Sequence, residues 1–80
     1  MPTVLRRNGL RFFFYSLAKG EPPHVHVEQA ERLAKFWLDP VALASAHGFR
    51  SADLNRLRLL VISHRLTFLR ARNEYFDRGP

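Results

Sequence analysis

The stretch Pro22-Pro23-His24-Val25-His26-Val27-Glu28 carries the residue types best suited to chemistry in this 80-residue chain. Read as a strand, it sends Val25 and Val27 to one face and His24, His26 and Glu28 to the other. Two imidazoles at i and i+2 then stand roughly 6–7 Å apart along that face. Imidazole titrates near neutral pH, so such a pair can supply an acid and a base for phosphodiester chemistry. In that reading His24 and His26 are catalytic and move the protons, and Glu28 fixes one imidazole. Cations stabilise the pentavalent charge, and no metal is required. The same three residues are also a candidate transition-metal ligand set. The structural alternative is that both rings stack on aromatics and hydrogen-bond within a sheet.

Partners for that chemistry are sought among aromatic and cationic residues. Arg11, Phe13, Tyr15 and Trp37 can share the face of the two histidines, and aromatic, basic sheet faces hold single-stranded RNA by stacking and phosphate contacts. The alternative is that these aromatics form the core. Arg58, Arg65 and Arg72 recur every seven residues, either as a phosphate- or carboxylate-binding stripe or as a solvated helix face. The nucleic-acid contacts predicted on this basis are Arg11, Arg58, Arg65 and Trp37. His64 reads as a satisfied histidine near the helix's apolar stripe. No Gly-rich phosphate loop, Ser-His-Asp spacing or helix-turn-helix pair is present, and no organic cofactor is implied.

Composition bounds these readings. Lys plus Arg outnumber Asp plus Glu by 13 to 7, giving a net charge of +6. Eleven of the cations are Arg, whose planar fork suits phosphate. The sign favours nucleic acid or an acidic partner, or serves solubility alone. There is no cysteine, which removes disulfides and thiolate metal sites and suits a reducing compartment. No apolar run approaches the roughly 20 residues of a membrane span, and the first residues lack the apolar region of a signal peptide. The expectation is a cytoplasmic protein with no membrane partner.

The elements that must position these residues form one α+β domain over 1–80. It is a short antiparallel sheet of about four strands packed on one long C-terminal helix. Strands are predicted over 3–7 and 10–16, joined by Asn8-Gly9, a strong two-residue hairpin signal. Two more follow over 24–28 and 33–38, the last with Ala34, Phe36 and Leu38 on one face and Lys35 and Trp37 on the other. Asp39-Pro40 suggests an N-cap and first turn, so 41–47 reads as a short helix, with an extended segment as the alternative. Ser51 is the predicted N-cap of a helix over 52–76, which contains no Gly or Pro. One apolar stripe of that helix runs Leu54, Leu57, Val61, Phe68 and Tyr75. A second runs Leu59, Ile62, Leu66, Leu69 and Phe76. One small sheet cannot obviously cover both, so the second stripe is a candidate surface for a protein partner or a homodimer.

The stretches Met1-Pro2-Thr3-Val4-Leu5-Arg6, Arg11-Phe12-Phe13-Phe14-Tyr15-Ser16, Pro22 to Glu28, Ala34-Lys35-Phe36-Trp37-Leu38, Gly48-Phe49 and Asn73-Glu74-Tyr75-Phe76 resemble the bacterial domain-of-unknown-function family 4160. The resemblance covers nearly the whole chain, and the PPHVHVE block is its most specific part. It implies a small cytoplasmic bacterial or phage-borne protein, encoded beside a member of family 2442 as one component of a toxin–antitoxin pair. It transfers no catalytic residues. Residues and resemblance together lead to a nucleic-acid-binding, antitoxin-partnered protein, with metal-independent RNase activity as its sharpest form. The alternatives are a non-catalytic protein-interaction or DNA-binding module and a small His/Glu metal-binding protein.

Overall fold

Residues 3–14 and 20–77 are described by a computed structural model. Residues 15 and 16 of the predicted second strand lie outside them, as do the side chains of Tyr75 and Phe76. Five strands form an antiparallel meander, with neighbours in chain order: β1 (Thr3–Arg7), β2 (Leu10–Phe13), β3 (His24–Gln29), β4 (Arg32–Leu38) and β5 (Val41–His47). Asn8 and Gly9 both take positive φ, 52° and 80°, as the two-residue turn between β1 and β2 requires.

The fifth strand corrects the expected count of four. Residues 41–47 are not a short helix, and Asp39-Pro40 is the β4–β5 turn rather than a helix start. The alanines favour a helix, but intrinsic propensity is a weak bias. It is overridden here by ladder pairing, with Val41 opposite Leu38, Leu43 opposite Phe36 and Ala46 opposite Ala34. A register shift between Lys35 and Phe36 leaves Ala44 as the extra residue of β5.

The helical segment is also divided. Helix α1 (Ser51–Ser63) and helix α2 (Arg65–Asp77) flank His64, which leaves helical geometry at φ −107°, ψ 14°. Two side chains turn back at this point. Ser63 Oγ donates to the Leu59 carbonyl at 3.0 Å, and His64 Nδ1–H donates to the Leu60 carbonyl at 2.9 Å. Such back-bonding competes with the helical ladder and bends helices. At the other end Arg50, not Ser51, is the N-cap: its carbonyl accepts the Leu54 N–H at 2.9 Å and no side chain caps the helix.

One sheet face is covered by the helices. Phe12, Phe14, Val25, Val27, Ala34, Phe36 and Leu38 meet Leu57, Val61 and Phe68, and all are buried. Leu54 and Leu69 pack partly against this core, so Leu69 leaves the outer stripe to which its spacing assigned it. Arg65 ties the helix layer to the sheet: its Nε donates to the Leu38 carbonyl at 2.7 Å, and the guanidinium reaches Asp39 at 2.9 Å. The carbonyl bond is the half-buried one, and the ion pair is more exposed. Arg65→Ala is therefore expected to cost about 1–2 kcal/mol in urea unfolding, and Asp39→Ala less than about 1. Equal losses would show that the ion pair, not the carbonyl bond, holds the joint.

Candidate functional site

The sheet face opposite the helices gathers most of the residues singled out above. Its register is set by two ladders: Arg11 lies opposite Glu28 and Phe13 opposite His26 in one, and His26 opposite Lys35 and His24 opposite Trp37 in the other. Because side chains alternate, Arg11, Phe13, His24, His26, Glu28, Lys35 and Trp37 all project away from the core of valines and phenylalanines. The two imidazoles thus project from one side, and neither lies beneath the terminal helices.

Their contacts form a chain of rings closed by a cation at each end. The Arg11 guanidinium sits 4.5 Å from the centre of the Phe13 ring. Phe13 stacks on His26 at 5.5 Å, and His26 meets His24 edge-on at 5.1 Å. His24 meets Trp37 edge-on at 5.7 Å, and Lys35 Nζ lies 4.6 Å above the Trp37 ring. Cations over aromatic faces are attracted by the ring quadrupole. Each cation also holds a carboxylate, Arg11 with Glu28 and Lys35 with Glu21, both at 2.6 Å.

This arrangement reassigns roles. Glu28, predicted to fix an imidazole, is bound by Arg11 instead. The carboxylate beside a histidine is Glu21, whose Oε2 lies 4.0 Å from His24 Nε2. His24 Nδ1–H donates to the Pro22 carbonyl at 2.9 Å, so in the neutral ring Nε2 is the free basic atom. His24 is only 6% exposed, whereas His26 is half-buried. Desolvation pushes His26 down to about 4, reinforced by the charges of His24 and Lys35 and opposed by Glu21. The hydrogen bond from Lys35 holds the Glu21 carboxyl below its ordinary range. At neutral pH His26 is therefore a neutral ring that can accept a proton but has none to give.

His26 is reachable from solvent through a cleft of about 200 Å³ that it lines with Lys35, Ser45 and His47. Ser45 and His47 enter this site because β5 exists; Ser45 lies opposite Lys35 and His47 opposite Leu33. Sequence reasoning missed both, together with Glu21 and Lys35. Arg58 and Arg65 are not part of the site. Arg65 is engaged by Leu38 and Asp39, and Arg58 projects from α1 on the helix layer. Among the described residues, no three His, Asp or Glu side chains come together as a metal ligand set.

A second cavity, of about 240 Å³, lies on the helix side between the β1–β2 turn and the start of α1. Its floor is Leu10, Phe49, Leu57 and Leu60, and it contains none of the ring chain. No helix of the described residues is long and apolar enough to cross a membrane.

The family model described as "Domain of unknown function (DUF4160)" matches residues 9–71, which span β2 to α2 and so the whole ring chain. No curated protein and no solved structure matches the chain.

Proposed function

The chain belongs to the DUF4160 family, and we propose that it binds single-stranded RNA across the open face of its sheet. The observation that carries this reading is the run Arg11–Phe13–His26–His24–Trp37–Lys35, in which the buried Phe13 and His24 back the half-buried His26 and Trp37, the two rings a base can reach, beside a cleft that gives access to His26. Stacking platforms flanked by cations suit unpaired bases and the phosphates between them. The net charge of +6 adds long-range attraction. Both cations are engaged by carboxylates, but such partly exposed ion pairs are worth about 0–1 kcal/mol, so a phosphate can replace Glu28 or Glu21.

Fluorescence anisotropy with a short single-stranded RNA tests this. Trp37→Ala is expected to weaken binding about 5- to 150-fold, the worth of one stacked base. Arg11→Ala and Lys35→Ala should each flatten the salt dependence by about one phosphate contact. Arg58→Ala, on the other layer, should change the affinity little. Absence of binding at low salt, or a loss with Arg58→Ala as large as with Trp37→Ala, would remove the proposal.

RNA cleavage is the second reading, favoured by the 5.1 Å approach of the two imidazoles. With His26 neutral, His24 would have to be the acid, with Nε2 as the transferring atom beside Glu21. Cleavage by purified protein that is lost in His24→Ala would establish it, and intact RNA would leave a binding protein. A role within a toxin–antitoxin-like pair rests on the family resemblance. Growth arrest on expression, relieved by a co-expressed partner, is the outcome it requires.

A further inference from the structure

The irregularity in β5 falls where the cleft beside His26 opens. The extra residue Ala44 changes the phase of side-chain alternation along the strand. Val41 and Leu43 lie opposite Leu38 and Phe36, whose side chains are in the core. Ser45 and His47 lie opposite Lys35 and Leu33, on the open face. An unbroken strand would have sent all four to the helix side. Bulges re-aim side chains beside functional sites, and this one brings a hydroxyl and an imidazole to the cleft.

The lining of the cleft states what fits. Its floor is Leu33, 36% exposed on the open face. One rim is Ser45 and His47, and among the described residues neither side chain has a hydrogen-bond or ion-pair partner. His26 is the opposite wall. Lys35 contributes its stem, because its Nζ lies over Trp37 and on Glu21, towards the other end of β4 from Leu33. An apolar floor with uncommitted hydrogen-bonding groups at the rim suits a flat heterocycle better than a phosphate. The volume of about 200 Å³ is below the roughly 300–1,000 Å³ of pockets for drug-sized ligands, so one ring system fills it. The span is set by the register. His26 and His47 stand on strands two apart, and His47 is two residues beyond the Ser45 that shares the row of His26. With strands about 4.8 Å apart and a rise of about 3.4 Å per residue, roughly 12 Å separates the roots of the two imidazoles. The two fused rings of a purine reach across Leu33 from one to the other, and the single ring of a pyrimidine does not.

We infer that the cleft receives one purine base of the bound RNA, lying on Leu33 with its hydrogen-bonding edges towards Ser45 and His47. The inference rests on the RNA reading and adds selectivity to it. Stacking on His26 and Trp37 tolerates any base, because every base has a π-face, whereas the cleft selects by size and by its polar rim.

Fluorescence anisotropy tests this by comparing an all-uridine RNA with the same oligomer carrying one central adenine or guanine. The purine oligomers are expected to bind about tenfold tighter. Ser45→Ala and His47→Ala should each reduce that ratio, and Leu33→Ser should bring it close to one. Loss of a phosphate contact would weaken all the oligomers alike, so the ratio separates recognition of the base from charge. Trp37→Ala should likewise weaken all of them and leave the ratio in place. The three cleft side chains are exposed, so circular dichroism of their variants should match the parent. Equal affinities for the uridine and purine oligomers, or a purine preference that survives all three cleft substitutions, would overturn the inference and leave the RNA reading standing. Failure of every oligomer to bind at low salt removes both. A free purine mononucleotide that binds as tightly as the oligomers would mark a small-molecule site and overturn the assignment to RNA.

Discussion

Phe68→Ala is expected to destabilise the fold by about 3–5 kcal/mol, whereas Leu66→Ala, two residues away, should cost about 0.5 kcal/mol or less. Phe68 is fully buried and its ring stacks on Phe12 at 5.3 Å, while Leu66 is 62% exposed. Among the described side chains of α2, Phe68 is the one fully buried, so truncating it leaves a cavity where α2 meets the sheet. A chain of this length has a total stability of about 4–12 kcal/mol, so the loss is a large share of it. Urea unfolding followed by both helical circular dichroism and Trp37 fluorescence separates two outcomes. If α2 detaches first, the helical signal falls before the sheet-borne tryptophan responds, and the transition ceases to be two-state. Similar losses for the two variants would show that Phe68 does not hold α2 in place.

The contrast between these two leucine and phenylalanine positions was only half legible in the sequence. Helical spacing assigns both residues to apolar stripes, and nothing in the spacing says which stripe the sheet covers. The strands were clearer, because period-two alternation in 24–28 and 33–38 has one physical solution once one face is apolar. Asn8-Gly9 was equally direct, since positive φ at both positions is cheap for that pair. β5 was obscured by local signals. Its alanines favour a helix, Asp39-Pro40 imitates a helix start, and only the pairing with β4 outweighs them. The interruption at His64 has no Gly or Pro to announce it, because it arises from two side chains bonding back to carbonyls. At the site, the shared face of Arg11, His24, His26 and Trp37 follows from alternation alone. The binding of Glu28 by Arg11 and the placement of Glu21 beside Lys35 and His24 depend on strand order and loop path. The seven-residue spacing of Arg58 and Arg65 suggested a common role, yet Arg65 is used to join the layers of the fold.

Stability should fall as pH drops from about 6.5 towards 4, and His26 should carry a distinct part of that slope. Its folded pKa is lowered to about 4, first by desolvation and then by the charges of His24 and Lys35. The unfolded chain binds the proton near the ordinary histidine value of about 6.5, while the folded chain refuses it until about 4. Protons therefore favour unfolding throughout that window. The contribution is fully present above about 6.5 and has been lost once pH passes below about 4. The full shift corresponds to at most about 3 kcal/mol, and water at the half-buried ring reduces this to about 1–2. His26→Phe keeps a ring against Phe13 and removes the proton site, so the difference between parent and variant isolates the term. Glu21, a carboxyl also held below its ordinary value of 4.5, loses its contribution in the same direction but only as pH falls below 4.5, so the difference is read above that pH. Parallel stability curves for the two proteins between pH 7 and pH 4.5 would mean that His26 is not held neutral. The same measurement bears on RNA binding. If His26 is neutral, it stacks rather than pairs with phosphate, and His26→Phe should leave the salt dependence of RNA affinity unchanged at pH 7. The positive charge of the open face would then reside in Arg11 and Lys35, the two cations at the ends of the ring chain.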